Sequence, residues 1–245
     1  MTTPTKSIKS KLSLDLFYMQ MQWSFWYISI ILIIHLILQL VLPRFVPDVE
    51  EINLSFMIMF FQSSKIYMAI IGIIACYSFL PFFVKNGITR RDYFIGSSVA
   101  AVGVSFSILL VSAVITVVLQ FLAPILGYSP NIVPVAFLDT TSLWIVPIIS
   151  LSLIILCYYI AGWVIAVGFY RYNNLRRIGF IAIGLFYVSV TDLIWEGGLS
   201  HPLIAKLNIP FPDLSIGLSV GVTSLLIGLG LWFIRSLTKR IPIKL

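Results

Sequence analysis

Charge is what this sequence lacks most. Only 10% of its 245 residues are Asp, Glu, Lys or Arg, while 60% are hydrophobic, and mean hydropathy is +1.05. A soluble domain carries roughly 25% charged residues. The scarcity therefore excludes a water-solvated globule and makes the bilayer the solvent. Cysteine is nearly absent. Cys76 and Cys157 both lie inside apolar runs, far from any second thiol or histidine pattern, so neither a disulfide framework nor a metal site is expected, and both read as packing residues. There are two histidines, His35 and His201, and no His-Glu-x-x-His. No Gly-x-x-x-x-Gly-Lys-Ser/Thr occurs, so backbone amides and a lysine cannot cradle a nucleotide's phosphates by that route. Ser200-His201 beside Gly197-Gly198 is the nearest thing to a nucleophile constellation, but adjacent residues in one loop do not make the convergent geometry of a triad. No catalytic, cofactor-binding or metal-binding residue is expected in this chain.

What is present is apolar length. A span needs about 20 apolar residues at 1.5 Å rise each. Six fit: about 23–42, 66–84, 94–122, 143–169, 178–194 and 214–234. The runs are continuous rather than alternating, which favours helices over strands. The fold class expected is an all-α integral membrane protein, a single transmembrane domain over 1–245, multi-pass in the cytoplasmic (cell) membrane.

The cations orient it. Lys6, Lys9 and Lys11 precede span one; Lys85, Arg90 and Arg91 follow span two; Arg171, Arg176 and Arg177 follow span four; Arg235, Lys239, Arg240 and Lys244 follow span six. Only Arg44, Lys65 and Lys206 fall on the other side. Basic loops stay cytoplasmic, so both termini are expected inside. The net charge of +7 then reflects topology and anionic inner-leaflet lipids, with no nucleic-acid partner needed. Trp23, Trp26 and Trp232 fall at inner span ends and Trp144 and Trp195 at outer ends, as interfacial anchors do.

Outside the spans, Ile8, Leu12, Leu16, Met19 and Trp23 recur at helical spacing. This predicts an amphipathic helix over 8–22 lying in the inner interface; the alternative is a continuation of span one. Between spans one and two, the eight-residue apolar run 54–61 is too short to cross and is expected in the outer interface. The segment 195–213, with Gly197-Gly198 and prolines at 202, 210 and 212, reads as a possible re-entrant piece between spans five and six. Two polar pairs stand near or within spans. His35 and Gln39 are four residues apart in span one and face either a pathway or a neighbouring helix. Asp192 and Glu196 are four apart at the outer end of span five, either as functional acids or as a solvated pair at the mouth. No ladder of buried charges of the kind that couples transport to protons or sodium is evident.

The stretch after span two carries the most local information. Asn86-Gly87 closes a helix, since Gly takes the left-handed conformation readily. Thr89 and Asp92 form a variant capping box that opens the next helix, and Arg90 and Arg91 project from its first turn. Arg90 to Leu122 would run about 50 Å against a hydrocarbon core of about 30 Å. The helix is therefore expected to carry a short, stiff, cationic corner into the cytoplasm.

Six spans, the cationic corner and the segment Asn86-Gly87-Ile88-Thr89-Arg90-Arg91-Asp92-Tyr93-Phe94-Ile95-Gly96 resemble the permease subunits of type-2, exporter-type ABC transporters. The segment is similar to x-Gly-(Ile/Val)-(Ser/Thr)-Arg-(Arg/Lys)-(Asp/Glu)-(Phe/Tyr)-Phe-x-Gly of such permeases in Gram-positive bacteria. It covers about a dozen residues; elsewhere the likeness is architectural. The resemblance implies two copies of a separate ABC ATP-binding subunit, which hold ATP and magnesium, and a second permease, identical or sister. It implies that Gly87, Ile88, Thr89, Arg90, Arg91, Asp92 and Tyr93 are gripped by the ATPase, and that the cargo is a peptide, lipid-like or drug-like substrate. The competing reading is a non-transporting membrane immunity or scaffold protein that sequesters a peptide and needs no ATPase.

Overall fold

The computed structural model describes residues 8–41, 56–126, 145–172, 175–196 and 214–239. Among them there are helices and no strands. We number the helices α1 (Ile8–Leu40), α2 (Phe56–Lys85), α3 (Arg90–Leu126), α4 (Ile145–Arg171), α5 (Leu175–Glu196) and α6 (Ile216–Thr238). All six are long and apolar enough to cross a membrane. The chain is a multi-pass membrane protein.

α4 is the axis. Over its most apolar stretch it is 78% buried, against 17% for α1, α5 and α6. It packs on α2, α3, α5 and α6, while α1 reaches the bundle mainly through α3. Small residues set how closely helices approach where lipid supplies no hydrophobic drive. A Cβ on Gly72 of α2 would lie 2.0 Å from the Tyr159 carbonyl oxygen of α4, and one on Gly162 would lie 2.0 Å from the Ala69 carbonyl oxygen. The two backbones therefore touch at a reciprocal glycine crossing.

One end of the bundle gathers the cations. Leu12 of α1 packs on Gly96 of α3, and Phe17 on Gly103, so these helices run parallel and start together. Arg90 Nη1 donates to the Lys239 carbonyl (3.4 Å) and Arg171 Nη1 to the Leu237 carbonyl (2.8 Å), bringing both short connections to the end of α6. The starts of α1 and α3 and the ends of α2, α4 and α6 thus share one face.

Three expectations are corrected. First, 8–22 is not a separate interfacial helix. α1 is unbroken from Ile8 to Leu40, with no glycine or proline to bend it. Its buried stripe runs through Leu12, Leu16, Gln20, Ser24 and Ile28, while Met19 and Trp23 are partly exposed. Second, 56–61 does not lie apart from span two. α2 begins at Phe56, and Phe56, Phe60 and Phe61 are buried. The polar run Gln62-Ser63-Ser64-Lys65 reads as a loop in sequence but continues α2, with Gln62 exposed and Ser63, Ser64 and Lys65 turned into the bundle. Ser63 Oγ bonds the Met59 carbonyl (3.1 Å), and the Tyr27 hydroxyl meets Ser63 Oγ at 2.6 Å and Ser64 Oγ at 3.2 Å. Third, Trp195 is no lipid-facing anchor. It is buried, and its Nε1 donates to Thr223 Oγ1 on α6 at 2.9 Å. Trp26 and Trp232 are exposed. Trp144, the segment 43–55 and the region 197–213 that reads as re-entrant lie outside the described residues.

Candidate functional site

The corner between α2 and α3 is built from local chemistry. α2 ends in a Schellman motif: Ile88 N–H donates to the Phe83 carbonyl (3.0 Å) and Gly87 N–H to the Val84 carbonyl (3.1 Å). Gly87 takes φ +86° there, the left-handed region that only glycine enters freely. The Asn86 side chain adds a bond from Nδ2 to the Phe82 carbonyl at 2.9 Å. Two residues later Thr89 opens α3. Its hydroxyl accepts from the Asp92 amide (3.1 Å) and donates to Asp92 Oδ2 (2.7 Å). A standard capping box sends the acid back to the cap's amide; here the shorter Asp meets the cap's hydroxyl instead. Asp92 also places negative charge at the positive end of the helix.

Tyr93 anchors this turn to the core. It is buried, and its hydroxyl donates to the Ala75 carbonyl of α2. That carbonyl belongs to a π turn, Ala75–Phe79, where Leu80 N–H reaches back to it. Pro81 follows at once; it has no N–H to give and its ring crowds the preceding turn, so the wider turn accommodates it. Stiffness at the corner thus rests on two caps and one interhelical bond. Lys85, Asn86, Gly87, Thr89 and Arg91 are exposed, while Ile88, Arg90 and Asp92 are half-buried.

At the far end lies a second polar centre. Lys65 of α2 and Asp192 of α5 form an ion pair, Nζ to Oδ1 at 3.4 Å, with side chains only 8% and 15% exposed. The Tyr158 hydroxyl of α4 bonds both carboxylate oxygens, at 2.9 and 2.7 Å. The Lys65 ammonium also sits 5.0 Å from the Phe61 ring centre and 5.6 Å from that of Tyr158. Sequence reading left Lys65 in an outer loop and missed this centre. Its signal is the helix register of α2, which continues through the polar run.

The remaining candidates separate. Asp192 is no solvated acid but the partner of Lys65. Glu196 closes α5, and its side chain lies outside the described residues. His35 is buried and meets α2 edge-on at the Phe56 ring, 5.3 Å between centres, whereas Gln39 is half-buried. Among the described residues no group of three His, Cys, Asp or Glu could hold a metal ion.

Comparison with family models, with curated proteins and with solved structures gives no match.

Proposed function

We propose that this chain is the membrane-spanning permease subunit of an ATP-driven, exporter-type ABC transporter in the cytoplasmic membrane, with both termini in the cytoplasm. ATP is hydrolysed on two copies of a separate subunit, and a second permease completes the pathway. The cargo is a peptide, lipid-like or drug-like molecule.

The observation that carries this reading is the build of the 87–93 corner. A loop that served topology alone needs only charge. This one is capped on both sides, exposes Arg91 and is bonded through Tyr93 to the core of α2. A push on it is delivered to α3, whose 37 residues span about 55 Å. Such a corner transmits work that the chain itself does not generate.

The test is co-expression with an ATP-binding subunit encoded beside it. Arg90→Glu with Arg91→Glu should leave the protein in the membrane and abolish the ATPase activity that the permease stimulates. Stimulation unchanged in the double variant rejects the handle. Failure of the wild-type chain to co-purify with any Walker-containing subunit favours the peptide-sequestering immunity or scaffold protein.

A further inference from the structure

Beside the corner, at the same end of the bundle, a cleft of about 430 Å³ is lined by Arg91 of α3 and by Trp232, Arg235, Ser236 and Lys239 at the end of α6. Three cations face one small volume. Among the described residues none of the three forms an ion pair. The Arg235 guanidinium rests 5.7 Å over the Phe94 ring, and its Nη1 is buried with no hydrogen-bond partner. Arg91 and Lys239, both exposed, present the accessible charge of the cleft.

Carbonyl groups at the end of a helix would normally oppose an anion. Here two other arginines occupy them: Arg90 takes the Lys239 carbonyl and Arg171 the Leu237 carbonyl. The nearest acid in sequence, Asp92, does not line the cleft and accepts from Thr89. The balance facing the cleft is therefore cationic.

Its position defines the anion. Arg235 stands about 28 Å along α6 from Ile216, close to the full hydrocarbon thickness of about 30 Å. Ser236 and Lys239 continue the helical face of Leu225, Leu229 and Trp232, which are 72%, 63% and 69% exposed. A cationic cleft thus opens at the membrane boundary directly above an apolar stripe that descends into the bilayer. An acidic protein segment would need the first feature but not the second. We infer that this cleft binds the phosphate of an anionic phospholipid, with an acyl chain lying along Leu229 and Leu225 and the Trp232 indole at the boundary. The inference goes beyond the permease reading and does not depend on it.

The test reads Trp232. The full chain is placed in phosphatidylcholine vesicles doped with phosphatidylglycerol or phosphatidylcholine brominated on the acyl chains, and tryptophan quenching is followed. The signal absent from Trp232→Phe is that of Trp232. Brominated phosphatidylglycerol should quench it at lower mole fraction than brominated phosphatidylcholine. Arg235→Gln with Lys239→Gln should weaken that preference about fivefold per cation removed, while quenching of the other tryptophans stays unchanged and reports an intact fold. Equal quenching of Trp232 by the two lipids overturns the inference, as does a preference that survives in the double variant. Inorganic phosphate at matched ionic strength should not relieve the quenching; relief would assign the cleft to free phosphate and overturn the lipid. A double variant that keeps its lipid preference but loses an ATP-binding subunit on co-purification would give the cleft to that protein and overturn the lipid equally. The lipid test changes only Arg235 and Lys239 and leaves Arg90 and Arg91 in place, so lipid preference can be lost while ATPase coupling stands.

Discussion

Tyr93 donates its hydroxyl to the carbonyl of Ala75, joining the first turn of α3 to the π turn of α2. The bond runs between the corner and the only stretch of α2 where the regular ladder is widened. Tyr93→Phe keeps the ring against Phe83, 6.0 Å away, and removes only the donor. It should lower stability by about 1 kcal/mol. If the corner transmits force, stimulated ATPase activity should fall further than that loss of folded protein explains. Thermal unfolding in detergent beside ATPase coupling checks the two effects separately.

Gly87 tests the turn itself. A Cβ there meets nothing within 4 Å, so any cost of substitution comes from φ +86° alone. Gly87→Ala should destabilise by about 1 kcal/mol, Gly87→Asn by less, and Gly87→Val by more, because β-branching is least tolerant of that region. The ranking is read from unfolding midpoints; Ala and Asn behaving alike would count against the left-handed turn.

Thr89 and Asp92 act as one unit. Thr89→Ala should cost about 1 kcal/mol. Asp92→Ala in that background should add much less than it does alone, since the hydroxyl it shares is already gone. A double-mutant cycle measures the coupling, and additive losses would contradict it.

The Gly72–Gly162 crossing carries the closest backbone approach described. Gly72→Ala would drive a methyl to 2.0 Å from the Tyr159 carbonyl oxygen, a backbone atom that cannot rotate away. α2 and α4 must then separate. The loss should reach about 1–3 kcal/mol, well beyond that at Gly221 of α6, where an added Cβ meets nothing within 4 Å. Comparing unfolding of the two alanine variants checks it.

Lys65 and Asp192 should show the asymmetry of buried pairs. Lys65→Met alone strands a carboxylate between helices and should cost about 3–5 kcal/mol. Lys65→Met with Asp192→Leu removes both charges and should recover most of it, although Tyr158 then loses its acceptor. Equal losses in single and double variants, in the same unfolding assay, would deny the pairing.

How much of this could be read from residues alone differs by element. The corner was almost wholly legible, because a Schellman turn and an N-cap are made by neighbours in sequence: Gly87, Thr89 and Asp92 do what their spacing says. The spans were legible in number and, for α4, α5 and α6, nearly in extent, because length of apolar run is itself the physical requirement. The errors lie where polar residues interrupt a helix. Gln62 to Lys65 looks like a break, and only the presence of Tyr27, Tyr158 and Asp192 opposite Ser63, Ser64 and Lys65 lets the helix carry it into the bundle. Gln20 and Ser24 are polar yet buried in the bundle, which residue type alone does not announce. Trp195 looks like an anchor until Thr223 meets it.

Solvent and crossing number were settled by the chain's own composition, since a run of some twenty apolar side chains has a lower free energy in hydrocarbon wherever its neighbours lie. Which helix stands at the centre, which lysine is swallowed with its acid and which arginines are left facing a shared cleft were settled only by packing. Those facts depend on distances between residues far apart in the chain, and a linear order holds no record of distance.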